Sequence, residues 1–307
     1  MTITADPTSR PGTADPAAPG VPHRRVPTRR ISFAESLKRL PKHFAADGDL
    51  INSHLAAGLS AVFPDGEDFF VRSVRWYRDR ITDPELKRQV AGFIGQEATH
   101  GREHREFNDR LAELGYPTKR FERFTRKGLA IREKLLPPES NLAATAALEH
   151  FTATLAELVL SSEETRDLFG APEVRDLFLW HALEESEHKA VAFDVYRAVG
   201  GREWVRVWTM VGLRYGFVGG MALQVGVSLL GDRSTYRKGE LRSSWRRFRR
   251  SPLVSRAVWR QLKEYDEPDF HPDDRDTTEL VAHWREVLFG ADGTLNDLLT
   301  APIAERA

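Results

Sequence analysis

The chain has 307 residues, 41% hydrophobic and 29% charged, with Lys plus Arg equal to Asp plus Glu at 45 each. A formal charge of zero offers no global basic field for nucleic acid. The absence of cysteine excludes disulfides, thiolate metal sites, iron–sulfur clusters and a Cys nucleophile, leaving imidazole and carboxylate as the metal ligands on offer.

Residues 1–30 are rich in Pro, Thr, Ala and Arg without apolar periodicity, so a disordered arm is expected there, followed by a single helical domain over residues 31–307. No basic-then-apolar leader opens the chain, and the expectation is a cytoplasmic protein with a membrane surface as a further contact. Helices are expected over residues 33–44 and 50–63. Pro64-Asp65-Gly66 then punctuates the chain, with Asp65 as N-cap of a new helix that carries Glu67 in its first turn. A first-turn Glu has an ordinary use, since it complements the helix dipole.

Thr82-Asp83-Pro84 opens the next helix, which stops at Gly115-Tyr116-Pro117. It contains Glu97-Ala-Thr-His100, with His104 one turn further. These three share a face on which Phe93 and Phe107 also project, which disfavours a fully solvated stripe. A connecting helix is expected over residues 121–136. The helix expected from Asn141 to about Phe169 holds Glu149 among Ala, Leu, Phe and Thr. A charge buried there costs several kcal/mol unless something pairs it.

The stretch from Trp180 to Tyr196 reads as helix, and His181, Glu185 and His188 fall within about a 60° sector of it. Beyond Gly200-Gly201, residues 204–230 are the most apolar part of the chain, interrupted by Arg206 and Arg214. A buried bundle helix is expected first, ahead of a membrane-dipping helix or an apolar wall for a lipid-like substrate. The uncharged part, residues 215–230, is short of the roughly 20 residues that a spanning helix needs. The basic run Arg242–Arg250 interleaves Trp245 and Phe248, which suits a membrane surface or a solvated helix burying two aromatics. A Pro/Asp-rich loop and an amphipathic helix over residues 277–289 complete the chain.

Glu67, Glu97-x-x-His100, Glu149 and Glu185-x-x-His188 therefore stand on four successive long helices. A single Glu followed by Glu-x-x-His, given twice, builds a carboxylate-bridged dinuclear site inside a four-helix bundle. Two close dications repel, and four carboxylates neutralise them well enough to tolerate burial. The expected fold is all-α, a ferritin-like four-helix bundle with additional N- and C-terminal helices. The expected metal ligands are Glu67, Glu97, His100, Glu149, His181, Glu185 and His188, holding two Fe ions, with Mn as the alternative. His104, Thr152 and Trp180 are expected beside them, His104 to orient a ligand and Trp180 to close the pocket.

On these residues the chain resembles the bacterial family named "predicted metal-dependent hydrolase", over about residues 31–272. The resemblance runs through Phe-Pro-Asp-Gly-Glu67-Asp-Phe-Phe, Glu97-Ala-Thr-His100, Glu149-His-Phe-Thr, the Trp180-to-Tyr196 stretch and Phe270-His271-Pro272. It implies a ferritin-like di-metal bundle. The ligand order is also similar to that of di-iron arylamine N-oxygenases, in which an additional His precedes the last Glu by four residues, the place of His181. Two chemistries follow as expectations. The first is oxidation of a small apolar organic substrate by O₂, with an electron-donor protein or the substrate supplying electrons. The alternative is dinuclear hydrolysis of an ester or amide. Metal storage or a structural metal bundle is the third reading. A Ser-His-Asp hydrolase is disfavoured because no Gly-x-Ser-x-Gly elbow is present.

Overall fold

The computed structural model describes residues 23–303, and its regular structure is helical apart from one isolated bridge between Ile31 and Leu299. In chain order the helices are α1 (Leu50–Arg75), α2 (Pro84–Glu113), α3 (Thr118–Leu135), α4 (Pro138–Ser161), α5 (Glu163–Asp167), α6 (Pro172–His188), α7 (Val191–Ala198), α8 (Glu203–Leu230), α9 (Glu240–Phe248), α10 (Arg256–Glu264) and α11 (Thr278–Phe289). The expected all-α bundle is what the chain forms.

Helices α1, α2, α4 and α6 pack side by side. Their apolar residues separate into two clusters, one containing Phe69, Val90, Phe93, Ala146 and Phe193, the other containing Ala57, Phe107, Leu111, Val159 and Leu183. Helices α1, α2 and α4 each cross from one cluster to the other, α6 packs in the second and hands over to the first through α7, and the Glu and His residues fall in between. A polar layer is thereby clamped between two apolar ones.

Several boundaries differ from the sequence expectation. No break occurs at Pro64: α1 runs through it as one helix of 26 residues. Proline removes one N–H and so frees the carbonyl of residue 60 four positions back. The Asn108 side chain takes that carbonyl, donating to Ser60 O at 3.0 Å. The helix expected over 33–44 is instead a short 3-10 turn, Ser36–Arg39, because Pro41 forces Leu40 to extended backbone (ψ 128°). Ser162 ends α4 early and caps α5, accepting from Thr165 N at 3.1 Å. The Trp180–Tyr196 helix ends at His188, where Lys189 turns away to donate to Arg275 O (2.6 Å) and Thr277 (3.0 Å).

The arm expected over residues 1–30 needs correction as far as it is described. Residues 1–22 lie outside the described residues, but residues 23–30 are packed onto α2. They fit because Gly92 and Gly95 lack side chains; a Cβ at either would collide with Val26 or Thr28. Composition misled here because Arg24 is partnered and part-buried, and Arg29 partnered and buried, rather than solvated. The fully buried α8 is also corrected. Its inner stripe, Val205, Arg206, Met210, Arg214, Met221 and Ser228, faces the bundle, whereas Trp204, Trp208, Tyr215, Val218, Leu223 and Leu230 are exposed.

Candidate metal centre

Each of the four bundle helices delivers acid or imidazole to the polar layer: α1 gives Glu67, α2 gives Glu97 and His100, α4 gives Glu149, and α6 gives His181, Glu185 and His188. All seven are buried. Ligand atoms of Glu67, His100 and His181 lie within 4.8 Å of one another, as do those of Glu97, His100 and Glu185, and of Glu97, Glu149 and His188. The seven residues singled out from the sequence therefore converge. His188 Nε2 stands 3.1 Å from Glu97, 3.3 Å from Glu149 and 3.6 Å from Glu185. His181 Nε2 stands 2.9 Å from Glu185 and 3.8 Å from Glu67.

Both carboxylate oxygens of Glu67, Glu97 and Glu149, one of Glu185, His100 Nδ1 and His188 Nε2 are buried without a hydrogen-bond partner. Native interiors rarely leave so many polar atoms unmet in one place. The charge balance makes the same point. Burial, then Glu97 and Glu185, pushes Glu67 well above the usual carboxylate range, and burial with Glu149 does the same to Glu97. Burial and Glu185 push Glu149 up to about 7. Burial also presses on Glu185, but His188 and His181 hold it well below the usual range. Against its own burial, Glu185 and Glu149 raise His188 well above the usual imidazole range. A layer of acids sharing so little positive charge could accommodate divalent cations, and a donor set without thiolate suits hard or borderline ones.

The imidazoles are aimed from behind. A metal-ligating His usually gives its other nitrogen to a fixed acceptor. His188 Nδ1 donates to Gln96 Oε1 at 2.8 Å, and the Gln96 amide is itself fixed by donating to Pro27 O (2.9 Å) and Glu187 (2.8 Å). His100 Nε2 lies 2.9 Å from Glu184, which is ion-paired to Arg29 at 2.9 Å. A cation on His100 Nδ1 requires Nε2–H, and Glu184 is placed to accept it. Arg29, 1% exposed, also grips Glu187 with bonds of 2.7 and 2.8 Å.

The third imidazole is set by a longer chain. Asn108 Nδ2 donates to Ser60 O and to Glu122 (3.0 Å each), so its oxygen must face Ser60 Oγ, which donates to it at 2.7 Å. With that hydroxyl hydrogen committed, Ser60 Oγ accepts from His104 Nδ1 at 2.9 Å. His104 Nε2 then accepts from His181 Nδ1 at 2.7 Å, and the lone pair of His181 Nε2 is turned into the acidic layer. Burial and His181 push His104 well below the usual imidazole range, which keeps it in this neutral, relaying form. His104 thus sits behind His181.

The other two neighbours behave differently from expectation. Thr152 donates to Glu149 O of its own helix at 3.0 Å and borders a cavity, without bonding to a ligand side chain. Trp180 does not close that cavity. It is wholly buried between Phe33 (5.6 Å between centroids) and His100 (4.9 Å). The cavity of about 80 Å³ lies instead between α1, α4 and α6, where Phe63, Phe169 and Phe178 give it apolar walls and His181 and Glu185 join it to the acidic layer.

Sequence reading missed Arg29, Ser60, Gln96, Asn108, Glu184 and Glu187. Gln96, Glu184 and Glu187 are immediate neighbours of ligands on their helices, and Asn108 lies one turn beyond His104, so helical geometry offered a signal. Arg29 offered none, because its partners are 155 and 158 residues away.

The family described as "Predicted metal-dependent hydrolase" matches residues 27–276, which include the layer of acids and imidazoles and all the groups that brace it. No curated protein matches the chain. No solved structure does either.

Proposed function

The chain belongs to the predicted metal-dependent hydrolases, and from that premise we propose that it is a dinuclear metal enzyme acting on a small apolar substrate, by hydrolysis of an ester or amide. The observation that carries the metal assignment is the set of buried, unpartnered carboxylate and imidazole atoms facing one another across four helices. Glu97, Glu149 and His188 would hold one ion, Glu67, His100 and His181 the other, with Glu185 between them in the manner of ferritin-like di-metal bundles. Two divalent ions there supply Lewis-acid polarisation of a carbonyl and a lowered pKa for water.

The protein's own residues divide the remaining work. Phe63, Phe169 and Phe178 exclude bulk water and receive the apolar part of the substrate. Glu185 and His181, the two acidic-layer residues that border the cavity, orient the reacting group. Ser60 and His104 hold His181 in one tautomer, and Gln96 does the same for His188. His104 acts here as a positioning residue.

Oxidation by O₂, which the sequence placed first, becomes the second reading. The observation in its favour is the donor set itself: four carboxylates and three imidazoles, without thiolate, beside an apolar cavity. That set suits Fe or Mn, and a dry pocket would protect an oxidant. One experiment separates the two. Protein loaded anaerobically with Fe, Mn or Zn is offered a panel of apolar esters and amides, and separately mixed with O₂. Metal-dependent ester or amide turnover without oxygen uptake supports hydrolysis. Oxygen consumption by the Fe form, with no turnover of the panel by any form, reverses the order. Full activity in metal-stripped protein removes both readings.

A further inference from the structure

A helix with a continuous apolar surface normally buries it, and α8 buries only its inner stripe. Trp208 is 69% exposed, Leu223 70% and Leu230 68%, on a helix of 28 residues. Single exposed hydrophobics need no explanation, but a run of them along one helix marks a contact surface. We propose that α8 and the basic segment after it form a docking surface for an anionic lipid bilayer, with α8 lying in the plane of the interface.

Charge selects this occupant. Residues 231–250 carry eight Arg and Lys against two acidic residues, directly after the exposed apolar helix. Arg242, Arg246 and Arg250 on and beside α9 are exposed, and Trp245 projects among them at 50% exposure. Basic residues interleaved with aromatics next to an apolar face match the layered chemistry of anionic headgroups over acyl chains. Trp204, Trp208 and Tyr215 extend the same character along α8. A transmembrane placement conflicts with the other side of the helix. There Arg206 donates to Glu267 O at 2.8 Å and Arg214 to Leu262 O at 3.0 Å, so the inner stripe is tied to the protein.

The surface also bears on the metal centre. Gln224 of α8 donates to Gly58 O of α1 at 2.9 Å, and Phe217 packs on Phe151 of α4 at 5.4 Å. Leu55 and Leu59 of α1 and Thr152 and Leu155 of α4, each within a turn of those contacts, line the cavity. Docking through α8 sets two of the three helices around the cavity, α1 and α4, on the bilayer side.

Vesicle flotation tests the proposal with the full chain. Wild type should float with vesicles of phosphatidylcholine mixed with phosphatidylglycerol, float poorly with phosphatidylcholine alone, and lose binding in high salt. Arg246→Glu with Arg250→Glu should weaken binding at least about tenfold. Trp208→Glu with Leu223→Gln should abolish it while leaving the thermal melt unchanged, since all four side chains are exposed. Glu149→Ala should float like wild type, which separates this proposal from the fate of the metal reading. Absence of flotation with either vesicle overturns it. So does a concentration-dependent dimer that Trp208→Glu dissolves in a protein that does not bind vesicles, because a second copy of the chain then covers the face.

Discussion

Among the described residues an outer cluster of His and acid stands beside the central one, and the two are built differently. In the outer cluster His43, His54 and Asp232 converge closely enough to hold an ion. Yet Asp232 Oδ2 already receives Lys42 at 3.0 Å, His43 at 2.9 Å and His54 at 3.2 Å, while Oδ1 accepts Ser234 N at 2.8 Å. His54 Nδ1 meets Ser228 at 2.6 Å. A lysine supplies the counter-charge, and no buried polar atom of the three residues is left without a partner. In the central cluster the carboxylates have one another and no lysine, and all but one of their oxygens are unmet. Both combine imidazole with carboxylate, the central cluster wholly buried and the outer one with His43 part-exposed. What distinguishes a site poised for cations is unsatisfied valence in the middle combined with satisfied valence behind.

The largest effect expected from this contrast is on metal content. Wild type should bind about two ions per chain. Glu149→Ala should drop that to one or none, whereas Asp232→Ala should leave it unchanged, as read by elemental analysis after dialysis. Equal loss in both variants would break the comparison.

Next comes the bracing behind each cluster. Arg29→Met leaves buried Glu184 without a cation, with His100 Nε2 beside it, while Glu187 keeps Arg285 and Gln96. Burial already pushes Glu184 up to about 8 against the pull of Arg29, so without Arg29 it takes up a proton and the bonds to Arg29 are lost outright. The expected destabilisation is about 3–5 kcal/mol in urea unfolding. Lys42→Met should cost under about 1 kcal/mol, because the Lys42 side chain is 39% exposed and its ion pair is screened. A smaller loss from Arg29→Met than from Lys42→Met would mean that the segment before α1 does not brace the centre.

Acid should act through the outer cluster. Burial pushes His54 down to about 4, despite the pull of Asp232. Between the unfolded imidazole value near 6.5 and that lowered value, the unfolded chain binds the extra proton and the folded chain does not. Stability therefore falls as pH drops through this window, by about 3 kcal/mol at its lower end. Asp232 is held well below the usual range, against burial, by His43, Ser234 N–H and Lys42, so its contribution is lost only at more acidic pH. Urea midpoints at neutral pH and near the lower edge of the window check this, and His54→Gln should flatten the difference.

Sequence spacing located the central cluster because helical geometry is local: Glu97 and His100, or His181, Glu185 and His188, must share a face once the segment is helical. The all-α class was legible for the same reason. The groups behind the ligands depend on contacts between distant segments, as Arg29 does with Glu184 and Gln96 with Pro27. Nor could a pattern reveal that the break expected at Pro64 is absorbed by Asn108, or that α8 keeps its aromatics outside. In the outer cluster, His43 precedes α1, His54 lies within it and Asp232 follows α8, so helical spacing is silent on them.

The smallest of these effects is the most specific, because it touches no ligand. The bent course of hydrogen bonds from Glu122 through Asn108, Ser60 and His104 to His181 gives each member one possible direction, and Ser60 is its simplest link to cut. Ser60→Ala removes the acceptor of His104 Nδ1–H. His104 is then free to take the other tautomer, in which Nε2–H opposes the Nδ1–H of His181. To avoid that clash His181 must turn or shift its own proton to the nitrogen that faces Glu67 and Glu185, and it ceases to be a ligand. Metal affinity should fall by roughly 10–100-fold at the position that includes His181, while the one at Glu97, Glu149 and His188 keeps its strength. Competitive chelator titration resolves the two steps. Ser60→Thr, which keeps the hydroxyl, should restore the weaker step if rotamer packing permits the bond to His104 and Asn108. A uniform loss at both positions in Ser60→Ala would show that the serine supports the packing of α1 against α2 rather than the aim of one imidazole.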